Sequence, residues 1–233
     1  GPTDLKKLHE YQRQLVDQVK VLIRHRRTIK EGGWRGLVFL PTGAGKTRVA
    51  VQALLEMVES EHLRQRVVLW IAQTDELCEQ AVRAFKEVWG AIGKSGELVI
   101  GRLWGSNTVS SAAETTEAWS AQVVVATISQ LSASVVGTSE YEWLRESAVI
   151  IADEAHQADS PEYTRALRWF STGVRQRGAD QRPLIGLTAT PFKSGPEATR
   201  RLQSRFGRNL MQIERPDVVP PAEWSVTEFL RRL

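Results

Sequence analysis

The segment Pro41-Thr42-Gly43-Ala44-Gly45-Lys46-Thr47 sets a lysine and a hydroxyl directly behind a glycine-rich turn. The apolar run Gly36–Leu40 precedes it and a helical pattern opens at Lys46, so a strand hands over to a helix at that turn. Glycines there let backbone N–H groups curl around an anion, and the helix N-terminus adds positive partial charge. Lys46 can then reach the outer phosphates of a nucleotide, and the Thr47 hydroxyl can ligate a divalent cation. The general pattern opens on glycine; Leu40 stands in that place.

A second constellation is Asp153-Glu154-Ala155-His156, immediately after the apolar run Val149–Ala152. An acidic residue at the C-terminal end of such a strand faces the crevice where α/β sheets bind ligands. Asp153 can hold Mg²⁺ against phosphates, and Glu154 can orient and deprotonate an attacking water. A metal site built on His156 is the rival reading. It lacks partners, because His9, His25 and His62 stand at no ligand spacing from it. A third segment, Thr188-Ala189-Thr190-Pro191, follows the apolar run Leu184–Leu187 and by itself reads as a turn.

The elements that must position these residues alternate. Leu8, Tyr11, Leu15, Val19, Leu22 and Ile23 recur at helical spacing within residues 5–27, and Gly32-Gly33 ends that helix. Strands are predicted at Gly36–Leu40, Val67–Ala72, Leu98–Leu103, Val123–Ala126, Val149–Ala152 and Leu184–Leu187, with helices at Lys46–Met57 and Asp75–Val88. Strands alternating with helices predict an α/β fold, a parallel sheet with helices on both faces. Ser106–Thr116 and Asp180–Pro183 read as loops, and residues 214–223, with Pro216, Pro220 and Pro221, as a linker.

Composition sets outer bounds. The chain has 233 residues, with 25% charged and 42% hydrophobic side chains, enough for one large domain. No apolar run approaches the roughly 20 residues that span a bilayer, and no signal pattern opens the chain, so an intracellular, cytoplasmic protein is expected. Gly1-Pro2 reads as a tag remnant. The lone cysteine, Cys78, excludes an internal disulfide framework and reads as a buried apolar side chain. A net charge of +4 permits nucleic-acid binding. The clusters Arg24-His25-Arg26-Arg27 and Arg200, Arg201, Arg205 and Arg208 read as solvated faces. Among the 8 tryptophans, packing is expected for most, and Trp104, beside Gly105-Ser106, is the candidate for base stacking.

Taken in order, the segments resemble the first RecA-like domain of a superfamily 2 DEAD/DEAH-box helicase or translocase. Pro41–Thr47 is similar to motif I of that family, Asp153–His156 to motif II in the DEAH spelling, and Thr188–Thr190 to motif III. The likeness runs from about Leu8 to Met211, and the family commonly lacks the leading glycine that Leu40 replaces. It implies a RecA-like P-loop NTPase domain over residues 5–213, after a tail at 1–4 and before a linker at 214–233. ATP and Mg²⁺ are the implied cofactors. Thr42, Gly43, Ala44, Gly45, Lys46 and Thr47 would hold the phosphates, and Thr47 and Asp153 the cation. Lys46, Asp153 and Glu154 would carry the chemistry.

Leu8-His9-Glu10-Tyr11-Gln12 resembles the upstream element whose glutamine reads the adenine edge, which nominates Gln12; His9 stands where the family often has arginine. His156, Thr188 and Thr190 are expected to link the phosphate site to a nucleic-acid track. That track is nominated by Gln73 and Thr74, in a segment similar to motif Ia, and by Thr127 and Gln130, in one similar to a later phosphate-contacting motif. Ser106 joins it with Asn107. Such side chains hold one strand by its backbone, with salt-dependent affinity. The spelling is closer to DNA motors, largely bacterial, than to the RNA-processing DEAH group. A second RecA-like domain should supply arginine fingers from elsewhere in the parent chain, so this chain by itself is expected to turn ATP over very slowly. Two other readings stand beside this one: the motor of a restriction or defence system with a nuclease module, and a nucleotide-gated clamp that does not unwind.

Overall fold

Large apolar side chains alternate between the two faces of every central strand, and this fixes the architecture. On β2 (Val67–Ala72) Trp70 enters one buried cluster while Leu69 and Ile71 enter another. On β4 (Trp119–Thr127) Val123 and Val125 face the first, and Val124 and Ala126 the second. On β5 (Val149–Ala152) Val149 and Ile151 oppose Ile150 and Ala152. A sheet apolar on both faces must be covered on both, as parallel sheets are.

The computed structural model describes residues 5–24, 34–93, 96–115, 118–171, 182–190, 196–206 and 210–212. With β1 (Arg35–Phe39), β3 (Glu97–Leu103), β6 (Leu184–Thr188) and β7 (Leu210–Met211), the strands form one sheet in the order β3-β4-β2-β5-β6-β1-β7. Every pair is parallel. One face is covered by α1 (Glu10–Arg24), α2 (Lys46–Glu59) and α3 (Asp75–Ile92). The short α4 (Ala112–Thr115) lies on the connection between β3 and β4. The other face is covered by α5 (Ile128–Gln130), the turns Leu131–Val135 and Ser139–Glu146, α6 (Pro161–Ser171) and α7 (Pro196–Arg205).

Local chemistry starts these helices. The Thr74 hydroxyl accepts from the Leu77 N–H at 3.4 Å, and Asp75 and Glu76 place negative charge in the first turn of α3. Ser160 Oγ accepts from the Tyr163 N–H at 3.4 Å, and Pro161, whose ring presets the helical φ, opens α6. Glu56 binds α2 to α1, 2.6 Å from Arg13 Nη1 and 2.8 Å from Lys20 Nζ.

The parallel α/β sheet agrees with the sequence expectation, with boundary differences that have physical causes. Strand β4 starts at Trp119 rather than Val123; the buried polar residues Ser120 and Gln122 interrupt the apolar run by which the strand is read. Gln122 is satisfied internally: its carboxamide accepts from Ala112 N–H at 2.8 Å and donates to Ser110 O at 2.8 Å. The predicted 106–116 loop contains α4, whose four residues are too few for a period to register. Helix α1 opens at Glu10, after the expected start, and β7 was not anticipated. Gly32-Gly33, residues 214–223, His25, Arg26, Arg27 and Arg208 lie outside the described residues. Arg200 and Arg201 are exposed on α7, while Arg205 donates to Thr164 Oγ1 at 2.8 Å and is half-buried. Cys78 is buried as expected, and burial pushes its thiol up to about 12, an unreactive state. Among the described residues no helix is long and apolar enough to cross a membrane.

Candidate functional site

Because all strands run parallel, their C-terminal ends share one edge. Strand order therefore sets the order of the candidate residues along it: Thr127 at the end of β4, Gln73 after β2, Asp153 after β5, Thr188 at the end of β6, and Leu40 after β1. Segments more than a hundred residues apart in the chain become neighbours. The β6 strand of motif III lies between the strands that deliver motif I and motif II.

The turn after β1 has the backbone its glycines predicted. Gly43 has φ 79° and Gly45 φ 90°, a left-handed region where a Cβ is strained. Space around the Gly43 Cα is open, and Gly45, the N-cap of α2, has no side chain to cap the first-turn N–H groups. Open space, uncapped N–H donors and an adjacent Lys46 fit a phosphate chain. Thr42 and Gly43 are exposed, and Ala44, Gly45, Lys46 and Thr47 are half-buried.

Lys46 Nζ lies 3.7 Å from Glu154 Oε1, bringing motif I and motif II together across β6. Glu154 holds φ 48° and ψ 51°, a left-handed conformation that costs a non-glycine residue about 1–3 kcal/mol and is typical of strained functional sites. Its other carboxylate oxygen is 3.2 Å from His156 Nδ1, within ion-pair range but off the hydrogen-bond direction. Asp153 is 3% exposed. Burial pushes its carboxyl up from the ordinary 3.8 to about 6. The Glu154 N–H, donating at 3.0 Å, and the Lys46 charge pull it down, while the Glu154 charge adds to the rise. The indole N–H of Trp70 also faces this carboxyl without a hydrogen bond of ordinary geometry.

Among the described residues no group of three or more His, Cys, Asp or Glu side chains gathers to hold a metal. Mg²⁺ takes one or two carboxylates together with water and substrate phosphates, and the buried Asp153 carboxyl is a donor of that kind. Thr47 and Asp153 are the residues that would hold it.

Gln12 touches the phosphate turn directly. Its Nε2 donates to Ala44 O at 3.0 Å, its Oε1 accepts from His9 N–H at 2.9 Å, and a Cβ on Gly45 would meet Nε2 at 2.5 Å. Tyr11 Oη also donates to Ala44 O, and its ring stacks on His9. Thr188 and Thr190 bond each other: Thr188 Oγ1 accepts from Thr190 N–H at 3.0 Å and donates to Thr190 O at 3.1 Å. Their contact with motif I is through backbone, Leu40 N–H to Thr188 O at 3.2 Å. Two residues earlier on the same strand, a Cβ on Gly186 would stand 2.7 Å from that of Ala155, so β6 packs closely on the motif II turn.

The nominated track residues divide. Gln73 and Gln130 are half-buried, and Thr74 and Ser106 are exposed. Thr127 is 4% exposed, and its hydroxyl caps α5, accepting from Gln130 N–H at 3.3 Å and from Ser129 Oγ at 3.2 Å; Ser129 is the exposed hydroxyl of that turn. Trp104 is 6% exposed within the core, which removes it as a stacking platform; it belongs to the buried cluster on the α1–α3 face, a placement that sequence spacing does not reveal. Sequence reading also missed Tyr163 and Trp70, buried aromatics whose polar atoms face motif II. A single aromatic on an amphipathic helix or a core strand carries no signal of such a role.

The family described as Type III restriction enzyme, res subunit, matches residues 5–193. The chain belongs to that family. Its fold is the first RecA-like domain of a superfamily 2 helicase. By sequence it matches no curated protein. Among solved structures it is similar to the UvsW helicase of bacteriophage T4, with a TM-score of 0.58 and 16% identity over 91% of this chain and 62% of that one. It is also similar to a nuclease-deletion mutant of the Type ISP restriction-modification enzyme LlaGI in complex with a DNA substrate mimic, with a TM-score of 0.56 and 18% identity over 81% of this chain and 18% of that one. A third is the ATP-dependent Type ISP enzyme LlaBIII bound to DNA, with a TM-score of 0.55 and 19% identity over 80% of this chain and 13% of that one. The RecA-like domain thus spans less than two thirds of these chains.

Proposed function

We propose that this chain is the ATP-binding part of a nucleic-acid motor, a helicase or translocase that hydrolyses ATP to move along or unwind DNA. The observation that carries the proposal is the approach of Lys46 to Glu154, 3.7 Å apart, beside the buried carboxyl of Asp153. Lys46 and the turn Thr42–Thr47 hold the phosphates of ATP, and Gln12 ties the adenine end of the site to the phosphate turn through Ala44. Mg²⁺, held by Thr47 and Asp153, supplies neutralisation of phosphate charge. Glu154 accepts a proton from a water whose oxygen attacks the γ-phosphorus, as the bond from that phosphorus to the oxygen of ADP breaks.

Gln73, Thr74, Ser106, Thr127 and Gln130 mark the edge that holds the nucleic-acid backbone. Residues 5–213 are the motor domain, 214–233 lead toward a second RecA-like domain in the parent chain, and the protein works in the cytoplasm. That second domain brings arginine fingers worth about 10³–10⁵ in turnover, so the chain by itself is slow. The family match and the likeness to Type ISP enzymes favour a second reading, in which the motor serves a restriction system and drives a nuclease module.

The test is steady-state ATP turnover of the parent protein with single-stranded DNA, duplex DNA and single-stranded RNA added separately. Stimulation by one polymer, lost in Lys46→Ala and in Glu154→Gln, is expected. Glu154→Gln should still bind ATP. Turnover that none of the polymers stimulates, with a normal rate in Glu154→Gln, would refute the reading.

A further inference from the structure

The nucleotide half and the nucleic-acid half of the edge meet where β2 adjoins β5. There Asp153 N–H donates to Ile71 O at 2.8 Å, and Gln73 follows Ile71 by two residues. Under this seam lies Tyr163 of α6. Its side chain is fully buried in the cluster that contains Ile71, Ala152 and Ala155, and its hydroxyl has no hydrogen bond of ordinary geometry. The group it faces is the Gln73 side chain, and the Asp153 and Glu154 carboxylates share its neighbourhood. Helix α6 also packs on α5 and on the turn Leu131–Val135 that continues it. One helix therefore begins just beyond motif II and rests on the turn that presents Thr127, Ser129 and Gln130.

A buried hydroxyl without a partner is costly, and such groups are few in native proteins. Apolar packing alone does not need it, since phenylalanine fills the same space. The oxygen sits where the motif II carboxylates and a residue of the nucleic-acid edge both act on it. A group with a partner in only one of two states biases the equilibrium between them, and that is how two sites are coupled.

We propose that Tyr163 is a positioning residue that couples the nucleotide site to the nucleic-acid edge by hydrogen-bonding Gln73 in one nucleotide state and releasing it in another. The proposal rests on the motor reading above. Glu154 and Asp153 set which state holds: filling the nucleotide site changes the charge that faces the hydroxyl, and Gln73 shifts toward or away from the strand it contacts.

The experiment uses the parent protein and, as probe, a fluorescein-labelled form of whichever polymer stimulates turnover most. Its affinity is measured by anisotropy with and without a non-hydrolysable ATP analogue and Mg²⁺. In the wild type the two affinities differ by the coupling factor. In Tyr163→Phe the factor should shrink by about five-fold or more, the low end of ordinary coupling between sites, while ATP affinity in the absence of polymer is retained. A merely structural hydroxyl predicts the opposite, a variant equally or more stable with its coupling intact, and that result overturns the proposal. Gln73→Leu reads the same contact from its other partner, even if Tyr163→Phe fails to fold. Coupling should fall in Gln73→Leu too, and in the double variant no further than in either single one; additive losses overturn the proposal. A wild type without coupling removes both this inference and the motor reading. A coupled wild type with a coupled Tyr163→Phe removes this inference alone.

Discussion

Asp153→Asn should stabilise this chain at neutral pH while removing its place for a cation. The carboxyl is 3% exposed, and burial holds it at about 6 instead of 3.8. At about 1.4 kcal/mol per pH unit, that rise corresponds to a cost of about 3 kcal/mol when the group is charged in the folded chain. The sign follows from proton counts. Below 3.8 the carboxyl is protonated in both states and contributes nothing. Between 3.8 and about 6 the folded chain keeps a proton that the unfolded chain has released, so this contribution to stability falls as pH rises. Above about 6 the whole cost stands.

Asparagine has the same shape and keeps an oxygen for the Glu154 N–H that donates at 3.0 Å. Its NH₂ group meets Trp70, whose indole N–H is also a donor, so part of the gain of about 3 kcal/mol is lost and about 1–2 kcal/mol remains. The assay is urea unfolding without nucleotide or Mg²⁺, at about pH 8 and again at about pH 4. Asp153→Asn should be the more stable chain at the higher pH, with the difference closing at the lower one. Added Mg²⁺ and ATP should raise the wild-type midpoint and leave the variant unmoved. A variant less stable than wild type at the higher pH, or a difference independent of pH, would show that the carboxyl is not held charged against its burial.

Gly186→Ala would place a methyl 2.7 Å from the Ala155 Cβ and 2.8 Å from Leu37 Cδ1 and Phe206 Cε1, so overpacking should cost about 1–3 kcal/mol in urea unfolding. Thr188→Val leaves the Thr190 N–H without the hydroxyl it uses at 3.0 Å; a loss of about 1–3 kcal/mol is expected, with Thr188→Ser close to wild type. Burial works upward on Glu56, but hydrogen bonds from Lys20, Arg13 and Gln52 outweigh it and hold the carboxyl below its ordinary 4.5. Its stabilisation is therefore full above 4.5 and lost as pH falls through the folded value, so Glu56→Gln should lose midpoint in urea at neutral pH and converge on wild type in acid.

What was legible in the sequence is what depends on local pattern. Val67–Ala72 and Val149–Ala152 are apolar runs that end on a polar residue, Gln73 and Asp153, and they are strands to the residue. The glycines of Pro41–Thr47 declare positive φ through their type, and the structure gives 79° and 90°. What was not legible depends on partners distant in sequence. Gln122 falls outside the apolar run that predicts the strand, and its place inside the fold shows only in the bonds of its carboxamide to Ala112 and Ser110. Glu154 shows nothing of its left-handed backbone in its residue type. Tyr163 acquires a meaning only from strand order, which puts Gln73 beside Asp153.

Strand order also bears on why Glu154 is strained. Lys46 follows β1 and Glu154 follows β5, with β6 between them. A carboxylate continuing an ordinary extended β5 would leave the edge on one face of the sheet. The left-handed turn at φ 48° instead brings Glu154 within 3.7 Å of Lys46 and 3.2 Å of His156. That conformation costs about 1–3 kcal/mol and accompanies the approach of the two side chains across β6. On the motor reading, an entering γ-phosphate takes the Lys46 ammonium as its own counter-charge. Glu154 then loses that partner while its backbone still holds it at the same place, next to the phosphorus and free to accept a proton from water. On that reading the Lys46 contact is given up to phosphate while the left-handed turn keeps Glu154 in place.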